Sequence, residues 1–163
     1  MILEAFEETI QHLLDACKKV YGRDLITLAV FGSVARGTPN PNSDIDIMLV
    51  IKNLPSGRMK RMQQFDEVEK MMEPWIYSLK KYQIFTMISP VIKTPEEVQT
   101  GSLLFLDMIE DARILYDRDD FFAIFLNNFA KKLKNMGAFK VSNGEKWHWV
   151  IKPDYKQGEV FDI

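Results

Sequence analysis

The stretch Phe31-Gly32-Ser33-Val34-Ala35-Arg36-Gly37-Thr38-Pro39-Asn40-Pro41-Asn42-Ser43-Asp44-Ile45-Asp46-Ile47 decides how this chain is read. It joins two apolar runs through a loop rich in Gly, Pro and Asn. Before it, Leu25 to Phe31 is continuously apolar with β-branched members, which predicts a strand buried on both faces. Gly32 to Asn42 predicts a loop with at most one short helical turn. A second strand is expected from Asp44 to Ile51. On a strand, residues i and i+2 share a face, so Asp44 and Asp46 stand side by side while Ile45, Ile47 and Leu49 turn into a core. Two rises of about 3.3 Å separate the two β-carbons by roughly 6 to 7 Å. Carboxylates so placed can converge on one divalent cation, or on two about 3.5 to 4 Å apart. The competing reading is a strand start that carries solvated acids; the loop before it weighs against that.

That loop offers the complement of a metal clamp. Gly32 ends a buried strand and Ser33 opens a helical turn, so backbone N–H groups and the Ser33 hydroxyl face the space beyond the strand end, where phosphate binds. Gly32 also lets a triphosphate approach the main chain closely. Arg36 can add a charge-assisted contact or brace the loop. Gly37 and Ser43 complete the candidate set for the nucleotide, although a turn glycine and a loop-capping serine explain them without a ligand.

These residues resemble a known signature. Gly-Ser-x-x-Arg-Gly, five spacer residues, then Ser-Asp-Ile-Asp-Ile is similar to the motif of the DNA polymerase β-like nucleotidyltransferase superfamily, in its minimal nucleotidyltransferase form. The resemblance covers about residues 25 to 92. It implies an α/β (α+β) fold with a mixed sheet flanked by helices. It also implies a nucleoside triphosphate, ATP being the expected one, bound with Mg²⁺ or Mn²⁺, and transfer of the nucleotidyl group to an acceptor hydroxyl. Phosphate binding maps to Gly32 and Ser33, and metal ligation and catalysis to Asp44 and Asp46. Such proteins add a third carboxylate, acting as base, from a neighbouring strand. The segment where it is expected, Tyr82 to Ile92, holds no acid, and the nearest are Glu96 and Glu97 on the next helix. The alternative implied by the same resemblance is a nucleotide-binding, antitoxin-like regulator that pairs with a small helical HEPN-type protein and turns over weakly or not at all.

Outward from the motif, Leu3, Phe6, Ile10, Leu13, Leu14, Cys17 and Val20 recur at helical spacing before Gly22. Met59, Met62, Phe65, Val68, Met72 and Ile76 mark a second helix, with an interruption or restart expected at Pro74. Tyr82 to Ile92 predicts a third strand that Pro90 confines to an edge or ends. Thr94-Pro95-Glu96-Glu97 has the order of a helix start. Helices are expected over about 102 to 113 and 119 to 136, then a hairpin with Asn143-Gly144 at its tip and Trp147 and Trp149 on one face. We divide the chain into a nucleotidyltransferase-like unit, residues 1–100, and a C-terminal helical and hairpin extension, residues 101–163. Arg58, Lys60 and Arg61 form a basic cluster whose ordinary reading is a solvated helix face.

The 163 residues are 47% hydrophobic and carry 21 Lys and Arg against 23 Asp and Glu, a net charge of -2. That balance excludes long duplex nucleic acid as the main partner, which needs a basic excess. Cys17 alone permits no intramolecular disulfide, and no apolar run is long enough to span a bilayer, so a cytoplasmic setting without membrane association is expected.

Overall fold

A computed structural model describes residues 1–163. Strand β1 (Leu25–Phe31) is buried on both faces, as its apolar run predicts, because it lies inside a four-stranded sheet of order β3-β2-β1-β4. It pairs antiparallel with β2 (Ile45–Ile51) on one side and β4 (Arg113–Asp117) on the other; β2 pairs parallel with β3 (Ile88–Lys93). The sheet is therefore mixed, as the resemblance implies. The end of β1 and the starts of β2, β3 and β4 all meet at one edge.

Alternation along the strands divides the core. Leu28, Val30, Ile45, Ile47 and Leu49 pack with Phe6, Ile10 and Leu13 of α1 (Ile2–Tyr21) and Phe65, Val68 and Met72 of α3 (Arg58–Leu79). On the opposite face, Ala29, Met48 and Val50 pack with Val98 of α4 (Pro95–Gln99), Phe105 of α5 (Phe105–Asp111) and Phe122, Phe125 and Phe129 of α6 (Phe121–Asn135). A part-buried polar tie joins β1, β4 and α6 beside this second layer. The Thr27 hydroxyl donates to Asp117 at 2.7 Å, and Asp117 in turn accepts N–H bonds from Phe122 and Ala123 at the start of α6.

Four expectations need correction. Helix α3 is not interrupted at Pro74 but continues to Leu79. Pro74 is exposed, so the carbonyl its ring leaves unpaired meets water. Beyond it, Met72 and Leu79 are buried and the Trp75 indole N–H donates to Thr9 at 2.8 Å, which holds the helix on course. The third strand begins at Ile88 rather than Tyr82. Its preceding segment is tied instead to the motif loop, Phe85 N–H to Pro41 O and Ile45 N–H to Met87 O, both 2.8 Å. The stretch from 102 to 113 holds only the short helix α5, and β4 follows where no element was assigned. Last, in the hairpin of β5 (Phe139–Asn143) and β6 (Lys146–Val150), Asn143 pairs with Lys146, so the tip is Gly144-Glu145. Gly144 alone carries the positive φ, 65°, that such a two-residue loop requires. No helix is long and apolar enough to cross a membrane.

The edge beyond β3 is pinned by charge. Glu97 closes a capping box with Thr94 at the start of α4 and receives two bonds from the Arg61 guanidinium, 2.7 and 2.9 Å. Arg61 thus holds its carboxyl below the ordinary value of 4.5. A depressed carboxyl pKa contributes stability that is present above the unfolded value and lost as pH falls through the folded one. Glu97→Gln keeps a capping side chain and removes the charge. It is expected to cost about 0.5 kcal/mol at pH 7, since the pair is partly in water. In denaturant titrations that difference from wild type should vanish as pH drops below 4.5.

Candidate active site

Chain direction brings the motif to the edge where three strands start. β1 ends at Phe31, Gly32 opens the single turn α2 (Gly32–Ala35), and Asp46 pairs across the ladder with Phe31. Gly32 holds φ at +74°, a left-handed value that side chains resist. A β-carbon there would also lie 2.5 Å from Oδ2 of Asp46. The conformation therefore requires glycine, and a β-carbon there would also push the tip of the Asp46 side chain from its place against the turn. Ser33 follows half-buried on the turn, whose first N–H groups lack partners within the helix.

Asp44 is exposed just before β2 and Asp46 half-buried just inside it, on the sheet face of Met48 and Val50. Burial, then the charge of Asp44, push the Asp46 carboxyl above its usual range; a Ser89 hydroxyl hydrogen bond and the Arg36 charge pull the other way. Two hard oxygen ligands that repel each other fit a divalent cation of the Mg²⁺ or Mn²⁺ type, which takes one or two carboxylates together with substrate phosphates. No group of three His, Cys, Asp or Glu side chains gathers anywhere. Asp111, the other acid brought to this edge, is bonded to Arg36.

The other candidates are more dispersed. Ser43 is buried and its hydroxyl accepts the Asn40 N–H at 2.9 Å, closing the loop on itself. Gly37 supplies a positive φ of 73° after α2 with nothing within 4 Å of its would-be β-carbon, a turn requirement. Arg36 does not brace the loop of Asp44. It donates to Asp111 at the end of α5, 3.0 Å, and lies over the Trp147 ring of the hairpin. In the basic cluster, Arg61 is taken by Glu97, which also removes Glu97 as the missing base. Sequence reasoning missed Ser89, which pairs in register with Asp46 in the parallel ladder where an acid was sought. It missed Asp111 as well: that residue ends α5 two positions before β4, and the start of β4 at this edge has no signal in the sequence pattern.

Replacing Gly32 tests the close approach. Gly32→Ala is expected to cost about 1 to 3 kcal/mol in denaturant unfolding, by the strain of its φ and the displacement of Asp46. It should also abolish any rise in Tm that Mg²⁺ or Mn²⁺ gives the wild type.

Comparisons with known proteins bear on the same segment. Residues 10–99 match the family described as nucleotidyltransferase domain. The chain is 31% identical over 140 residues to a Methanocaldococcus jannaschii protein named "Putative protein adenylyltransferase MJ1305", covering 85% of this chain and 90% of that one. A solved structure of a mutant of the toxin-antitoxin MntA-HpeT shares the fold, with a TM-score of 0.51 and 14% identity over 77% of this chain and 85% of that one. With a signature-bearing sheet edge inside the matched residues, the chain belongs to the nucleotidyltransferase domain family.

Proposed function

We propose that the protein transfers AMP from ATP to a hydroxyl of a protein acceptor, with Mg²⁺ or Mn²⁺. The observation that carries this is the contact between the Gly32 turn and Asp46, which sets phosphate-binding N–H groups directly beside a carboxylate suited to a cation. The relative named for protein adenylyl transfer supports the nucleotide and the class of acceptor.

The acceptor oxygen bonds to the α-phosphorus, the bond from that phosphorus to the β-phosphate bridge breaks, and pyrophosphate leaves. The N–H groups of the Gly32-Ser33 turn hold phosphate oxygens in place. Asp44 and Asp46 hold the cation, which when bound neutralises phosphate charge and polarises the reacting phosphoryl group. Ser89, neutral and in register with Asp46, cannot take the acceptor proton as a carboxylate would, so the proton passes to solvent. That favours an acidic hydroxyl. A tyrosine phenol, with a pKa of about 10, is the protein side chain that meets it.

Asp46→Asn is expected to lower label transfer from α-labelled ATP to protein by about 10²-fold or more while leaving the fold intact. Asp46 opposes folding when ionised, since a carboxyl raised by burial favours its protonated form. The stability it contributes at low pH is lost as pH rises through its folded pKa. The metal-free variant should therefore melt no lower than wild type at pH 7. Transfer equal to wild type would overturn the assignment.

Ser89 also favours a second reading, an antitoxin-like regulator that binds nucleotide and pairs with a HEPN-type helical protein with little turnover. A stable complex with such a protein and no labelled product, in the presence of ATP and Mn²⁺, would select it.

A further inference from the structure

Arg36 sits at the end of α2, in the loop that separates the Gly32 turn from the two carboxylates. Its side chain is 34% exposed, and one nitrogen, Nη1, donates to Oδ2 of Asp111, whose side chain is 14% exposed. The guanidinium carbon lies 5.2 Å from the centre of the Trp147 ring. Trp147 is itself fixed. Its indole N–H donates to Asp107 at 2.9 Å, and the Lys140 ammonium, bonded to Glu110 at 3.0 Å, stands 4.6 Å from the same ring centre. Asp107, Glu110 and Asp111 stand at positions i, i+3 and i+4 of α5, so one helix face grips both the hairpin and the motif loop. The Arg36 N–H bonds back to Gly32 O at 3.1 Å, so its side chain leaves the same single turn that offers its N–H groups to phosphate.

A guanidinium held through one nitrogen and laid on an aromatic ring loses most of its freedom to swing, yet keeps Nε and Nη2 N–H groups to donate. That planar edge matches phosphate oxygens in a bidentate contact. We infer that Asp111 and Trp147 are positioning residues that aim Arg36 at the triphosphate, which makes the C-terminal hairpin part of the nucleotide site. The inference rests on the nucleotide reading above. Neither residue touches the nucleotide; both act through Arg36.

Titration calorimetry of the full chain with Mg·ATP tests it, together with steady-state transfer. Asp111→Ala and Trp147→Ala are each expected to weaken Mg·ATP binding by about 10-fold or more, the scale of lost orienting partners. KM for ATP should rise in parallel while kcat changes by less than about 2-fold. Trp147→Phe keeps a ring under the guanidinium and should recover most of the affinity, which a merely structural loss at the hairpin would not allow. In an Arg36→Ala background, Asp111→Ala should have no further effect. Single variants that bind like wild type, or losses that add in the Arg36→Ala, Asp111→Ala double variant, overturn the inference and leave the nucleotide reading intact. Wild-type protein that fails to bind Mg·ATP overturns both.

Discussion

The approach of the Gly32 backbone to the Asp46 carboxylate is the constraint on which the rest depends. A β-carbon at position 32 would stand 2.5 Å from Oδ2 of Asp46, so the turn and the carboxylate share space that only glycine leaves free. Holding the main chain of the turn against that side chain requires the two strands that carry them to be fixed. β1 and β2 meet the requirement because they are the inner strands of the sheet, paired over nearly their whole length and packed on both faces. Helices α1 and α3 press from one side and α4, α5 and α6 from the other. The layers thus serve a site that lies at their edge and belongs to neither core.

Charge follows the same logic. Across the surface carboxylates are claimed by cations or N–H donors: Glu97 by Arg61, Glu7 by Arg113, Glu110 by Lys140, Asp111 by Arg36 and Asp107 by two indoles. Asp44 and Asp46 receive no such partner. The burial and mutual repulsion that push Asp46 up cost the folded chain stability, the usual mark of a group kept for function. A cation is the partner that relieves both.

What was legible in the sequence was what short-range rules govern. Leu25–Phe31 had to be a buried strand because its apolar run leaves no polar face, whereas β2 starts at Ile45, so alternation places Asp46 on the face of Met48 and Val50 but does not reach Asp44. Thr94 and Glu97 gave α4 its start because a capping box is local chemistry. Residues brought in from a distance were illegible. Arg113–Asp117 is five residues of mixed polarity whose strand character comes from pairing with β1, some 85 positions earlier, and not from its own pattern. Missing it hid Asp111, and with it the true partner of Arg36. Helix α3 hid its continuity for a related reason: Pro74 reads as a break until Trp75 is seen anchored on Thr9 of another helix.

The two-carboxylate site also bears on how the rate is divided. Nucleotidyl transfer draws mainly on positioning and on neutralising charge at the phosphoryl oxygens, with less for proton transfer to do. A missing base forfeits about 10²- to 10⁴-fold. In the reading proposed above, Asp44 and Asp46 with their cation and the N–H groups at Gly32 address the larger share. On that same reading, Ser89 beside Asp46 leaves the electrostatic part of the reaction in place and shifts the proton problem onto the acceptor. An acceptor that loses its proton readily can make up that difference, and a poorer acid cannot. Selectivity among hydroxyls then follows from the acidity of the substrate as well as from any surface that docks it.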